Sequence, residues 1–187
     1  MAINIYEVCP TFENTRFRVR LFKHEDLNDL LAVYSDQKSL PFFNSDNCNG
    51  DIFYYCSVEK MTKAIEFWDY SYKNGWFVRM SIEDKKTHKI IGTVEVCKQV
   101  SSDSFNNKTV LRVDLLSDYE KEDVLSNLTS LITPHLNDVV GTQGIITKAP
   151  IYAVERIQAL KQNGYLLSNE RLIGKDGYPY KDYWVHG

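Results

Sequence analysis

The stretch Leu111 to Ile132, LRVDLLSDYEKEDVLSNLTSLI, constrains the fold more than any other part of the chain. It reads as a short apolar strand, a polar turn and a helix whose apolar side chains fall at Val124, Leu125, Leu128, Leu131 and Ile132. The spacing i, i+1, i+4, i+7, i+8 marks one face of a helix and no face of a strand. A strand running straight into a helix aims the first helical N–H groups at the turn, a common seat for a phosphate. This turn is acidic, with Asp118, Glu120, Glu122 and Asp123 against Lys121.

The rest of the chain supplies partners for that unit. Thr15 to Phe22 alternates and is rich in β-formers, so it predicts the first strand. His24-Glu25-Asp26 opens a helix with acids in its first turn and a buried stripe at Leu27, Leu30, Leu31 and Tyr34. The polar connection Ser35 to Asp51 contains NSDNCNGD, whose spacing would put Ser45 and Cys56 at the ends of a calcium loop. Neither suits a hard cation, so the segment reads as a plain loop. Ser57 caps a second helix ending near Asn74-Gly75, with a stripe at Val58, Met61, Ile65, Trp68 and Tyr72. Trp76 to Ile82 and Lys89 to Val96 predict an antiparallel hairpin, and Val110 to Leu116 the next strand. After the central helix, Gly144 to Lys148 is a strand parallel to Val110–Leu116, reached by a right-handed crossover. A helix from Ile151 to Gln162 stops at Asn163-Gly164, and Tyr165 to Ile173 and Tyr180 to Val185 close the chain as strands.

The order β α α β β β α β α β β predicts one mixed α/β domain over 1–187, with 1–14 as an N-terminal extension. The sheet is expected to hold about 6–7 strands, mostly antiparallel, with two central parallel strands splayed apart and about 4 helices. A net charge of −3 and a pI near 5.8 argue against a nucleic-acid surface. No apolar run reaches the roughly 18–20 residues of a membrane span, and MAINIYEVCP does not read as a leader, so the expected location is cytoplasmic. Four cysteines without a CxxC read as reduced thiols, and four scattered histidines signal no metal site.

RFRVR followed by HEDL, SDQKSLPFF, KIIGTVEV, ERIQALKQNGY and LIGKDGYPYKDYW stand in an order that resembles the GNAT superfamily of acetyl-CoA-dependent N-acetyltransferases. The likeness runs from about Thr15 to Trp184 and is greatest to the branch that acetylates ribosomal-protein N-termini and small amines. It implies that acetyl-CoA lies between the splayed strands, its pantetheine paired with the first of them and its pyrophosphate on the turn. The cofactor-binding residues so implied are Val113, Leu115, Leu116, Ser117, Asp123, Val124 and Leu125, with Arg156 as a phosphate contact from a neighbouring helix. The family motif on the turn is Q/R-x-x-G-x-G/A, because backbone must come within reach of phosphate oxygens. Here Glu120, Asp123 and Leu125 take the three motif places, and none matches. Ala153 and Arg156 stand where the family often has Asn and Ser, and Leu160 where it often has a Tyr acid.

Magnitudes weigh on that turn. A helix dipole favours an exposed anion by about 0.3–1 kcal/mol. One carboxylate about 5 Å from a phosphate costs roughly 1 kcal/mol in water and about 3 at an effective dielectric of 20. The acids therefore win unless their side chains point away.

Glu95 and Asp114 are the candidate catalytic carboxylates, either able to take an amine proton. Each could equally be structural, Glu95 as a strand residue paired with Lys98 or solvent. Tyr178, Tyr180, Tyr183 and Trp184 would border the acceptor pocket or fill the core. The resemblance thus implies acetyl transfer to a primary amine, on a peptide N-terminus or small molecule, with no nucleic-acid or membrane partner and with homodimer pairing through sheet edges. The alternative is a GNAT-fold module that has lost acetyl-CoA and binds a peptide, small ligand or partner subunit in the same cleft.

Overall fold

The computed structural model describes residues 4–187. The chain opens with strands β1 (Phe12–Glu13) and β2 (Phe17–Leu21), then helices α1 (Leu27–Ser35) and α2 (Val58–Lys73). Strands β3 (Val78–Asp84), β4 (Lys89–Lys98) and β5 (Thr109–Leu115) lead to α3 (Glu122–Val140), β6 (Ile145–Lys148) and α4 (Val154–Gln162). Four short strands follow: β7 (Leu166–Leu167), β8 (Leu172–Ile173), β9 (Pro179–Tyr180) and β10 (Tyr183–His186). One sheet runs β1-β2-β3-β4-β5-β6-β10-β7, while β8 and β9 form a separate ribbon. Every neighbouring pair is antiparallel except β5 and β6, which the α3 crossover makes parallel. The mixed, mostly antiparallel architecture with four helices is the one expected.

Local signals hold where one residue decides the geometry. The Ser57 hydroxyl accepts the Lys60 N–H at 3.2 Å and caps α2. Gly164 ends α4 with φ +78°, a left-handed turn that suits glycine.

Three details differ from expectation. His24–Asp26 is a 3₁₀ turn, because Asp26 is turned inward and accepts from Arg20 at 2.8 and 2.9 Å, the Ser81 hydroxyl at 2.7 Å and the Lys23 N–H at 2.9 Å. Val58 is 53% exposed, and the face of α2 that is buried carries Met61, Ala64, Ile65, Trp68 and Ser71. The two closing strands are four short ones, since β10 pairs with β6 on one side and β7 on the other. At the other end of the chain, Ile5 is fully buried and its N–H donates to Val139 O at 2.8 Å.

The sheet has two faces of opposite chemistry. On one, Val19, Met80, Ile82, Val94, Val113 and Leu115 pack under the apolar stripe of α3. On the other, cross-strand register lines up Arg20, Ser81, Thr93 and Asp114 in one row and Arg79, Glu95 and Arg112 in the next. Polar alternation of this kind usually leaves a face to water. Here Tyr34 of α1 and Trp68 of α2 belong to an aromatic cluster covering it, so the polar rows are buried and must satisfy one another.

Between β5 and β6 the sheet opens. Pairing is confined to Thr109–Ile145, Val110–Ile146 and Leu111–Thr147, while β5 runs on to Leu115. Across β5, strand β4 stays close: a Cβ added to Gly92 would lie 2.2 Å from the Asp114 carbonyl oxygen. Only glycine fits there, and it fixes Asp114 against β4.

Candidate functional site

Backbone direction decides what the open edge of β5 offers. Thr109 N–H donates toward β6, to Gly144 O at 2.8 Å, whereas Leu116 N–H donates toward β4, to Ile91 O at 2.9 Å. Alternation along the strand therefore aims the N–H and C=O of Val113 and Leu115 into the gap, and those of Arg112 and Asp114 toward β4. Ser117 N–H is held by Asp36 Oδ2 at 2.9 Å. Of the candidate pantetheine-binding residues, Val113 and Leu115 thus present backbone to the gap, while the Leu116 and Ser117 amides are spent internally.

The turn beyond β5 is occupied by the chain's own ions. Arg156, the implied phosphate contact, forms a two-pronged ion pair with Glu120 instead, with Nη2 to Oε2 at 2.9 Å and both side chains 6% exposed. The Glu122 N–H, at the start of α3, donates to Glu155 Oε2 at 2.7 Å. Asp123 points outward to Arg16 at 2.7 Å, a hydrogen bond that holds its carboxyl below the usual range. Val124 and Leu125 face the core, and Leu125 N–H already closes the first helical turn on Lys121 O. Just before α4, Tyr152 Oη donates to Pro41 O at 2.7 Å.

The two candidate carboxylates are in different states. Glu95 is 3% exposed, with Oε2 held by Arg79 and Oε1 by Arg112. Burial pushes its carboxyl up, but the two guanidiniums outweigh that and hold it below the ordinary value. Asp114, 1% exposed, accepts from Arg79 Nη1 at 3.0 Å and Tyr34 Oη at 2.9 Å, both at Oδ2. Its Oδ1 has no hydrogen-bond partner among the described residues. Burial wins over Arg79 there and lifts the carboxyl above its ordinary value. Burial also raises the Tyr34 hydroxyl, which stays protonated as Asp114's donor and lies 2.7 Å from Thr93 Oγ1. Glu95 is thus saturated, and Asp114 keeps one free oxygen.

Beside this cluster lies a cavity of about 760 Å³. Its floor is Arg79, Glu95 and Arg112, and its walls include Phe53, Tyr55, Trp68, Trp76 and Phe77. It reaches β5 at Val110 and Arg112, on the face that also carries Asp114. On its rim, both Asp46 carboxylate oxygens accept from Lys148 Nζ at 2.7 Å, and Oδ2 also accepts from the Tyr183 hydroxyl at 3.2 Å. Burial pushes the lining thiol of Cys97 up to about 11, so it is no thiolate at neutral pH. Of the C-terminal aromatics, Tyr183 borders the cavity, Trp184 joins the main core, and Tyr178 is 61% exposed.

Sequence reasoning passed over Arg79, Arg112 and Asp46, and read Tyr34 only as part of the buried stripe of α1. The strand period carried a usable signal for the arginines, since WFVRMSI and LRVDL put each on the polar side of its strand. Asp46 had none, because its partner Lys148 is 102 residues away.

No family model and no curated protein matches the chain. Solved structures do match. A ribosomal-protein-S5-alanine acetyltransferase from Vibrio fischeri is 17% identical at TM-score 0.66, covering 94% of each chain. A GNAT-family acetyltransferase from Bacillus anthracis is 9% identical at TM-score 0.69, covering 95% of this chain and 98% of that one. A ribosomal L7/L12 α-N-protein acetyltransferase solved with coenzyme A is 11% identical at TM-score 0.68, covering 95% and 97%. The chain matches these structures over nearly its whole length: the protein has the fold of the GNAT acetyltransferases.

Proposed function

We propose that the protein transfers an acetyl group from acetyl-CoA to a primary amine. The observation that carries this reading is the open backbone edge at Val113 and Leu115, on a strand whose Val110 and Arg112 border a cavity with a charged floor. An extended pantetheine arm adds to such an edge through main-chain hydrogen bonds and needs no special side chain. The amine nitrogen then attacks the thioester carbonyl carbon, the C–N bond forms and the C–S bond breaks. One amine proton is lost, and the departing sulfur gains one. In this reading Asp114, buried behind the cavity floor with a raised carboxyl and an unpaired Oδ1, receives the amine proton by relay through water, since it does not itself line the cavity, and Glu95 positions Arg79 and Arg112.

One observation favours a second reading, a GNAT-fold module that binds a peptide or small ligand without acetyl-CoA. The Arg156 guanidinium and the Glu122 N–H, the two groups best placed for a pyrophosphate, hold Glu120 and Glu155 instead. Thermal unfolding with acetyl-CoA, and with its desulfo and dephospho analogues, separates the two. Ligand at about 100 times its Kd adds roughly 2.7 kcal/mol. For a chain of this length that is about 2–4 °C per kcal/mol. A rise that shrinks with the dephospho analogue supports transfer; no shift at millimolar cofactor leaves the second reading.

A further inference from the structure

The cavity above the Arg79–Glu95–Arg112 row has an unbalanced charge. Its carboxylates are all engaged: Glu95 by Arg79 and Arg112, Asp46 by Lys148, and Asp51 by the Tyr55 hydroxyl at 2.7 Å and the Phe53 N–H at 2.7 Å. Among its cations, Lys98 and Lys175 have no acid partner among the described residues. Beneath them the Nε groups of Arg79 and Arg112 also have no acceptor, and the Arg79 side chain is 2% exposed. A protein of net charge −3 therefore lines one cavity with a positive surplus. The same cavity is lined by Phe53, Phe67, Trp76 and Phe77, and Trp76 is 54% exposed.

We infer that the cavity takes a small amphiphilic acid, an aromatic body bearing one carboxylate, with the carboxylate held between Lys98 and Lys175 and the ring against Trp76. Resting on the acetyl-transfer reading, this makes the acceptor an amine of the aromatic α-amino acid class. The walls supply aromatic contact, and the two ammonium groups supply the charge that selects an acid over a bare amine. A volume of about 760 Å³ leaves room for such a molecule beside the face of β5 that carries Asp114.

Trp68 and Trp76 line the cavity and Trp184 lies in the main core, so tryptophan emission reports on the site without acetyl-CoA. L-Phenylalanine and 3-phenylpropanoate are expected to change it saturably, and phenethylamine, which lacks the carboxylate, to bind at least tenfold more weakly. The double variant Lys98→Gln/Lys175→Gln, both at exposed positions, should fold normally and lose about tenfold in affinity for the acids. Rising salt should weaken the wild type but not the variant. Equal binding of phenethylamine and the acids, or no saturable change with either acid at millimolar concentration, overturns the inference. So does binding of a short peptide ending in phenylalanine where the free acids fail. Acid binding without any acetyl-CoA shift sinks the transfer reading and leaves this site standing; the reverse result sinks the site alone.

Discussion

Arg79 is the residue on which the buried polar face depends. Its guanidinium touches Glu95, Asp114 and Tyr34 and lies 4.7 Å from the Trp68 ring centroid. Removing one partner of a buried ion pair leaves an uncompensated charge, so Arg79→Met should lower unfolding free energy by about 3–5 kcal/mol in urea titrations. A loss below about 1 kcal/mol would mean that water already enters the row. The same cluster sets the acid limb of stability. Glu95 and Asp26 have folded carboxyls held below their unfolded values, so what they contribute is full above the ordinary carboxylate range and is lost as pH falls through the folded values. Asp114 is raised, so its contribution is present below its unfolded value and is lost as pH rises through the folded one. Glu95→Gln is therefore expected to flatten the acid limb and Asp114→Asn to steepen it. Matching slopes in all three proteins would remove the assignment of these states. Glu95 and Asp114 could be picked out of the sequence as strand carboxylates, but their states could not. Those depend on Arg79 of β3 and Tyr34 of α1, and for Glu95 also on Arg112 of β5.

At the scale of elements, the turn from β5 into α3 separates what a sequence records from what a fold decides. Its acids and its lack of glycine are plain in LSDYEKEDV, and so is the strand–turn–helix itself. Where the acids point is not, because Glu120 is drawn inward by Arg156 from α4 while Asp123 goes outward to Arg16, just before β2. The closing strands were not legible for a related reason: β10 pairs with β6 on one side and β7 on the other, so its register came from distant neighbours. If acetyl-CoA binds at this turn, its phosphates compete with Glu120 for Arg156. Glu120→Gln should then tighten acetyl-CoA about tenfold in isothermal titration, while Arg156→Gln weakens it, since charge-assisted contacts to phosphate are worth more than neutral ones. Unchanged affinity in Glu120→Gln, with wild type still binding, would place the phosphates elsewhere.

For the whole molecule, the sheet is two blocks, β1 to β5 and β6-β10-β7, joined by three register pairs at Thr109 to Leu111 and by the packing of α3 and α4. At the seam β5 runs on from Leu111 to Leu115 without pairing to β6, and the face of β5 that carries Arg112 and Asp114 belongs to the buried polar rows. A ligand that inserts there completes the ladder instead of filling a hole, so its signature should follow strand alternation. With acetyl-CoA bound, residue-resolved hydrogen exchange should show new protection at the Val113 and Leu115 amides. Arg112 and Asp114, which point to β4, should gain little, as should Leu116 and Ser117, whose N–H groups already hold Ile91 O and Asp36 Oδ2. Uniform protection across all six would indicate a general rigidifying of the domain, and protection confined to α3 would put the cofactor on the helix rather than in the seam. Only the alternating pattern ties binding to this edge of β5, because no tightening of the fold as a whole distinguishes odd from even positions along one strand.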